Sequence, residues 1–116
     1  MRRDIARGRN KADVVRGSGN VFLDLRLPNA EQKQTKARLA VAINHIIQRQ
    51  ELSQVAAARR LNINQPKISA LSNYRLDGFS VERLMSFLNA LDRDIEIVIR
   101  RKPRSRKAAR ILVTAA

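Results

Sequence analysis

The chain has no cysteine and no tryptophan, one histidine, three prolines and four glycines, and aromatic rings make up 3% of its residues. Without cysteine there is no disulfide framework and no thiolate metal site, as suits a reducing cytosol. His45 has no cysteine or second histidine to join it in a metal cluster, and no glycine-rich phosphate loop occurs. The acids Asp77, Glu82, Asp92, Asp94 and Glu96 fall in loops and at predicted helix ends, where capping and solvation account for them. The residues therefore offer no catalytic set, no metal ligands and no cofactor motif, and an enzyme is not expected. His45 is read as a core or interface residue on or beside an apolar helical stripe. No apolar run approaches the roughly 18 residues that span a bilayer. The basic opening MRRDIARGRN is followed by no apolar segment of the kind a secretory signal needs. With so few rings, a core of Leu, Ile, Val and Ala points to packed helices more than to a sandwich.

Acidic residues are also scarce, 10 against 24 Lys and Arg, giving a formal charge of +14. Residues 1–17 contribute +4 and residues 100–116 contribute +7, whereas residues 18–99 are only +3. Two basic ends around a nearly balanced middle are expected to attract polyanions in a salt-dependent way.

Residues 1–20 have little periodicity and read as a flexible basic arm. In residues 21–28, Val21, Leu23, Leu25 and Leu27 alternate with Phe22, Asp24 and Arg26, which signals a strand or an extended segment, closed by Pro28. Asn29, with Gln32 three residues on, resembles a capping box and opens a helix from about Ala30 to Gln50. Leu39, Ile43, Ile46 and Ile47 form its stripe, with Ala40 and Ala42 alongside. Ser53 caps a helix from Gln54 to about Leu61, with Val55, Ala58 and Leu61 on the expected buried face.

The stretch NINQPKISAL, residues 62–71, places a proline within helical spacing. In a helix interior Pro66 would cost roughly 3 kcal/mol. Asn62, however, tolerates the left-handed conformation that ends helices, and Asn64 is a good N-cap. Pro66 then falls in the first turn of a new helix, about Gln65 to Asn73, where its missing N–H is no loss. Ile68 and Leu71 face inward. NYRLDGFS is a loop, Ser80 caps a helix from Val81 to about Leu91 with stripe Val81, Leu84, Leu88 and Leu91, and DRD breaks it. Residues 93–102 hold a predicted strand, with Ile95, Ile97 and Ile99 on one face. Residues 103–116 read as a basic flexible tail with an apolar patch, Ile111 to Val113, that finds no place.

Residues 54–73 resemble the helix-turn-helix of the λ-repressor/Cro-like (XRE) family. The shared positions are the small Ala58, the apolar Leu61, Ile63, Ile68 and Leu71, and the turn at Asn62, where the family usually has glycine. Two steeply crossing helices need a small residue at contact, a special backbone turn and apolar pegs beneath. The resemblance implies an all-α, λ-repressor-like bundle of four to five helices over residues 29–92, binding the major groove of double-stranded DNA. It further implies that Gln54 and Gln65 bridge phosphate and base edge, that Lys67 and Ser69 face the groove, and that Asn73 meets phosphate. Glutamine has the geometry for a bidentate contact to adenine. Arg75 is a candidate phosphate partner, and Asn64 a cap, a DNA contact, or both.

Over residues 18–103 the arm SGNVFLDLRLPNAEQ, the helix-turn-helix and the loop LDGFS resemble a subgroup that includes HigA-type antitoxins. That resemblance implies a cytoplasmic repressor encoded beside a RelE/HigB-like toxin that it binds. Such proteins bind DNA as dimers. The C-terminal β-strand could pair with Val21 to Leu27 of its own chain or with its copy in a second subunit, and Ile95, Ile97 and Ile99 are the candidate homodimer contact. Two other readings remain open: a stand-alone repressor with no toxin, and a basic protein that binds nucleic acid without sequence preference.

Overall fold

The computed structural model describes residues 29–115. The basic arm at 1–20 and the extended segment at 21–28 lie outside the described residues. The described chain forms four helices: α1 Asn29–Arg49, α2 Gln54–Leu61, α3 Gln65–Ser72 and α4 Val81–Ala90. Buried residues of α1 are Thr35, Leu39, Ala40, Ile43 and Ile46, a stripe recurring at three and four residues as the helical period requires. This stripe packs mainly on α4, while α2 packs on α3, so the two short helices sit as a pair against the longer two. Ile68, Leu71, Leu84 and Leu91 are buried to 1% or less at the centre. Phe79 and Phe87 meet edge to face, with ring centres 5.7 Å apart.

Each helix is closed in the same way. Leu52 N–H donates to Ile47, Ile63 to Ala58, Arg75 to Ala70 and Arg93 to Leu88, each bond reaching back five residues. The residue before each donor is left-handed: Glu51, Asn62, Tyr74 and Asp92 have φ of 55°, 58°, 60° and 64°. This is the Schellman geometry, which usually employs glycine. Here no glycine occupies any of the four positions. Asn62 is the end anticipated from sequence, and the other three carry no residue-type signal.

Three expectations need correction. Val55 is 54% exposed, because Ala57, Ala58 and Leu61 form the buried face of α2. Val55 lies about 110° round the helix from the centre of that face. His45 is exposed and not part of the core. The expected C-terminal β-strand is not supported: among the described residues there is no strand, and residues 93–102 make no ladder hydrogen bonds to any of them. Alternation supplies an apolar face, but a strand exists only through its ladder, and the candidate partner Val21 to Leu27 lies outside the described residues. Ile95 is half-buried against the core, whereas Ile97 and Ile99 are 57% and 81% exposed.

The chain beyond residue 103 also differs from a free tail at one point. Arg38 donates from its guanidinium to the Ile111 carbonyl at 3.0 Å. The Glu31 carboxylate accepts from Ile111 N–H at 2.8 Å. Val113 packs against the core and Ile111 is held by α1, while Leu112 between them is 56% exposed.

Candidate nucleic-acid interface

Ser53 starts α2 by accepting from Ala56 N–H on its hydroxyl at 3.1 Å. Gln54 is therefore the first helical residue, and it is exposed. Ala58, 7% exposed, gives the small contact surface that lets α3 lie close. Asn62 then turns the chain at φ 58°, ψ 48°. Ile63 sits half-buried beneath the turn as its apolar peg.

Asn64 is extended (φ −84°, ψ 170°) and its Oδ1 accepts from Lys67 N–H at 2.9 Å. It is thus an N-cap that satisfies one of the otherwise unpaired donors of α3. Pro66 occupies the first turn of α3, as its missing N–H permits. Ile68 and Leu71 anchor the inner face.

Gln65, Ser69 and Asn73 follow one another at four-residue spacing, each about 40° further round, so they form a single stripe on the opposite side. Gln65 and Asn73 are exposed and Ser69 is half-buried. Asn73 Nδ2 donates to the Ser69 carbonyl at 2.9 Å, which closes the end of α3. Lys67 leaves this stripe. It lies about 200° from Gln65, and its ammonium sits 5.3 Å from the centre of the Phe79 ring. A Cβ at Gly78 would come within 3.9 Å of the same Nζ, so the DGF loop is the wall along which Lys67 runs. Arg75 is exposed just beyond the left-handed Tyr74, its N–H tied to the Ala70 carbonyl at 2.9 Å.

The electrostatics of this region are one-sided. From Leu52 to Leu76 there is no acidic residue, while Arg59, Arg60, Lys67 and Arg75 are all basic. Arg60 meets Asp92 at 3.4 Å, a solvent-exposed pair of small energetic consequence. No carboxylate from α2, the turn or α3 repels a phosphate backbone approaching the helix N-termini, whose N–H dipoles favour anions.

One positioning residue escaped sequence reasoning. Asn44 of α1 donates from Nδ2 to the Leu71 carbonyl at 3.1 Å and fixes the last turn of α3 to the long helix. The sequence marks it only as an amide next to Ile43 on the apolar stripe, and the structure half-buries it. Among the described residues no three His, Cys, Asp or Glu side chains gather as a metal site. Nor is any helix there long and apolar enough to cross a membrane.

Two short helices joined by a left-handed turn, set on a two-helix support with a polar stripe outward, define a helix-turn-helix DNA-binding domain. Residues 21–100 match the profile of a helix-turn-helix domain family. A solved structure described as an XRE family transcriptional regulator is 71% identical, with a TM-score of 0.74, and the alignment covers 77% of this chain and all of that one. No curated protein is significantly similar to the chain. The chain belongs to the XRE family of helix-turn-helix transcriptional regulators.

Proposed function

We propose that this regulator is a cytoplasmic repressor, without enzymatic activity, that binds its operator as a homodimer with α3 in the major groove. The observation that carries this reading is the stripe of Gln65, Ser69 and Asn73 on an α3 whose start is fixed by Asn62 and Asn64 in an acid-free segment. In this reading Gln54 and Gln65 span phosphate and base edge, with Ser69 on the groove. Lys67, expected on the groove, is instead turned to the far side of α3 against Phe79, and Asn73 and Arg75 hold the backbone. Asn64 contributes its amide beside its capping role.

Pairing through residues 95–99 is supported by the consecutive exposed side chains of Ile97, Val98 and Ile99, an apolar surface of the kind that marks association sites. A chain ending at Leu91 is then monomeric by sedimentation. An unchanged dimer assigns the contact elsewhere. The antitoxin role rests on the resemblance of the arm and the LDGFS loop to HigA-type proteins, and its partner would be a RelE/HigB-like toxin. Co-expression with the product of the adjoining reading frame tests it, with a stable complex expected.

The repressor reading itself is tested by gel-shift titration on the DNA upstream of the coding sequence. Retention of the complex against excess random duplex is expected. Loss of the complex to that competitor leaves only a basic protein that binds nucleic acid without preference.

A further inference from the structure

The segment after α4 leaves the core at Ile95 and returns to it at Val113, two residues after the half-buried Ile111. Its return is fixed by two side chains of α1. Glu31 takes the N–H of Ile111, and Arg38 gives to its carbonyl, so both backbone groups of one residue are held. Between these anchors the chain has no helix or strand and no acidic residue after Glu96. A loop this long without secondary structure is uncommon in a compact domain and usually serves a function.

The seven cations of residues 100–110 divide into two groups. Lys102 and Arg106 are half-buried, and their side chains bond carbonyls of the loop itself. The Lys102 ammonium donates to the carbonyls of Pro103 and Arg106 around a turn closed by Arg106 N–H to Pro103 at 3.2 Å. Arg100, Arg101, Arg104, Lys107 and Arg110 are exposed, and none has an ion-pair partner among the described residues.

We propose that this segment is a closed polycationic loop that binds the phosphate backbone of duplex DNA, and that the Glu31–Arg38 clamp on Ile111 holds it in its binding shape. The inference rests on the DNA-binding reading but concerns a different surface and no base recognition. The loop adds sequence-independent affinity through counterion release. The clamp lowers the ordering cost that a free tail would bear on binding.

Two variants of the full chain test the two halves. Arg104→Gln/Lys107→Gln/Arg110→Gln removes charge and leaves the clamp. Glu31→Ala/Arg38→Ala opens the clamp at unchanged net charge, with circular dichroism to verify the helices. Binding is read by fluorescence anisotropy on a random-sequence duplex between about 50 and 200 mM salt. The charge variant is expected to lower the slope of log K against log salt by about 2 to 3. The clamp variant is expected to keep the wild-type slope, to bind about three- to tenfold more weakly, and to be cut faster by trypsin within residues 100–110. An unchanged slope in the charge variant overturns the phosphate contact, and wild-type affinity in the clamp variant overturns pre-organisation. Preference for the upstream DNA over random duplex is expected to survive in both variants. Its absence from the wild type overturns the repressor reading alone, because the slope comparison needs no operator.

Discussion

The Lys67 ammonium lies over the face of Phe79, 5.3 Å from the ring centre, and so joins α3 to the loop that precedes α4. A cation so placed is attracted by the ring quadrupole, by about 0.5–1 kcal/mol at an exposed site. A double-mutant cycle with Lys67→Ala and Phe79→Leu is expected to return a coupling of that size in urea denaturation. Zero coupling would mean that Lys67 is not held by the ring.

The four non-glycine Schellman ends give a stability prediction. A non-glycine residue in the left-handed region costs roughly 1–2 kcal/mol, against about 0.5–1 kcal/mol of extra chain entropy lost by glycine. Glu51→Gly is therefore expected to stabilise the domain by about 0.5–1 kcal/mol. Asn62→Gly is expected to change less, because Asn already tolerates the conformation. Thermal melts measure both, and a lower melting temperature for Glu51→Gly would contradict the strain argument.

The two roles of Asn64 separate by substitution. Asn64→Ala removes the cap on Lys67 N–H and is expected to cost about 1 kcal/mol. Asn64→Asp keeps a capping oxygen, so stability is retained, but it sets a negative charge beside the phosphate backbone. Weaker DNA binding at unchanged stability is expected from Asn64→Asp. Wild-type affinity would make Asn64 a cap and nothing more.

Thr35 is buried at 2% exposure, and its hydroxyl has no hydrogen-bond partner among the described residues. Burying an unsatisfied hydroxyl costs about 1–3 kcal/mol, and valine has nearly the same shape with the same branching at Cβ. Thr35→Val is expected to raise stability by about 1 kcal/mol in chemical denaturation. A loss of stability would show that the hydroxyl is satisfied.

Most of the helix-turn-helix was legible because its signals are local. Ser53, Asn64 and Ser80 mark helix starts by side-chain chemistry, and each accepts a hydrogen bond from the third residue after it. Pro66 reads as a start once Asn62 is allowed to turn the chain. What was not legible depends on distant partners. In an eight-residue helix two small alanines outweigh Val55 for the buried face, and only the neighbouring helices decide that. Residues 95–99 alternate like a strand, but alternation does not create a ladder. The clamp joins Ile111 to residues 73 and 80 positions earlier, a relationship with no local signature. Asn44 is similar, since its bond to Leu71 crosses from one helix to another.

The central claim is that the outer stripe of α3 reads bases, and Gln65 at its leading edge is the residue to test. The decisive quantity is the ratio of affinities for upstream and scrambled duplex, measured at one salt concentration for wild type and Gln65→Ala. The account predicts a loss of about 1–3 kcal/mol of discrimination in the variant, with binding to the scrambled duplex nearly unchanged. An unaltered ratio, or an equal loss on both duplexes, would contradict it.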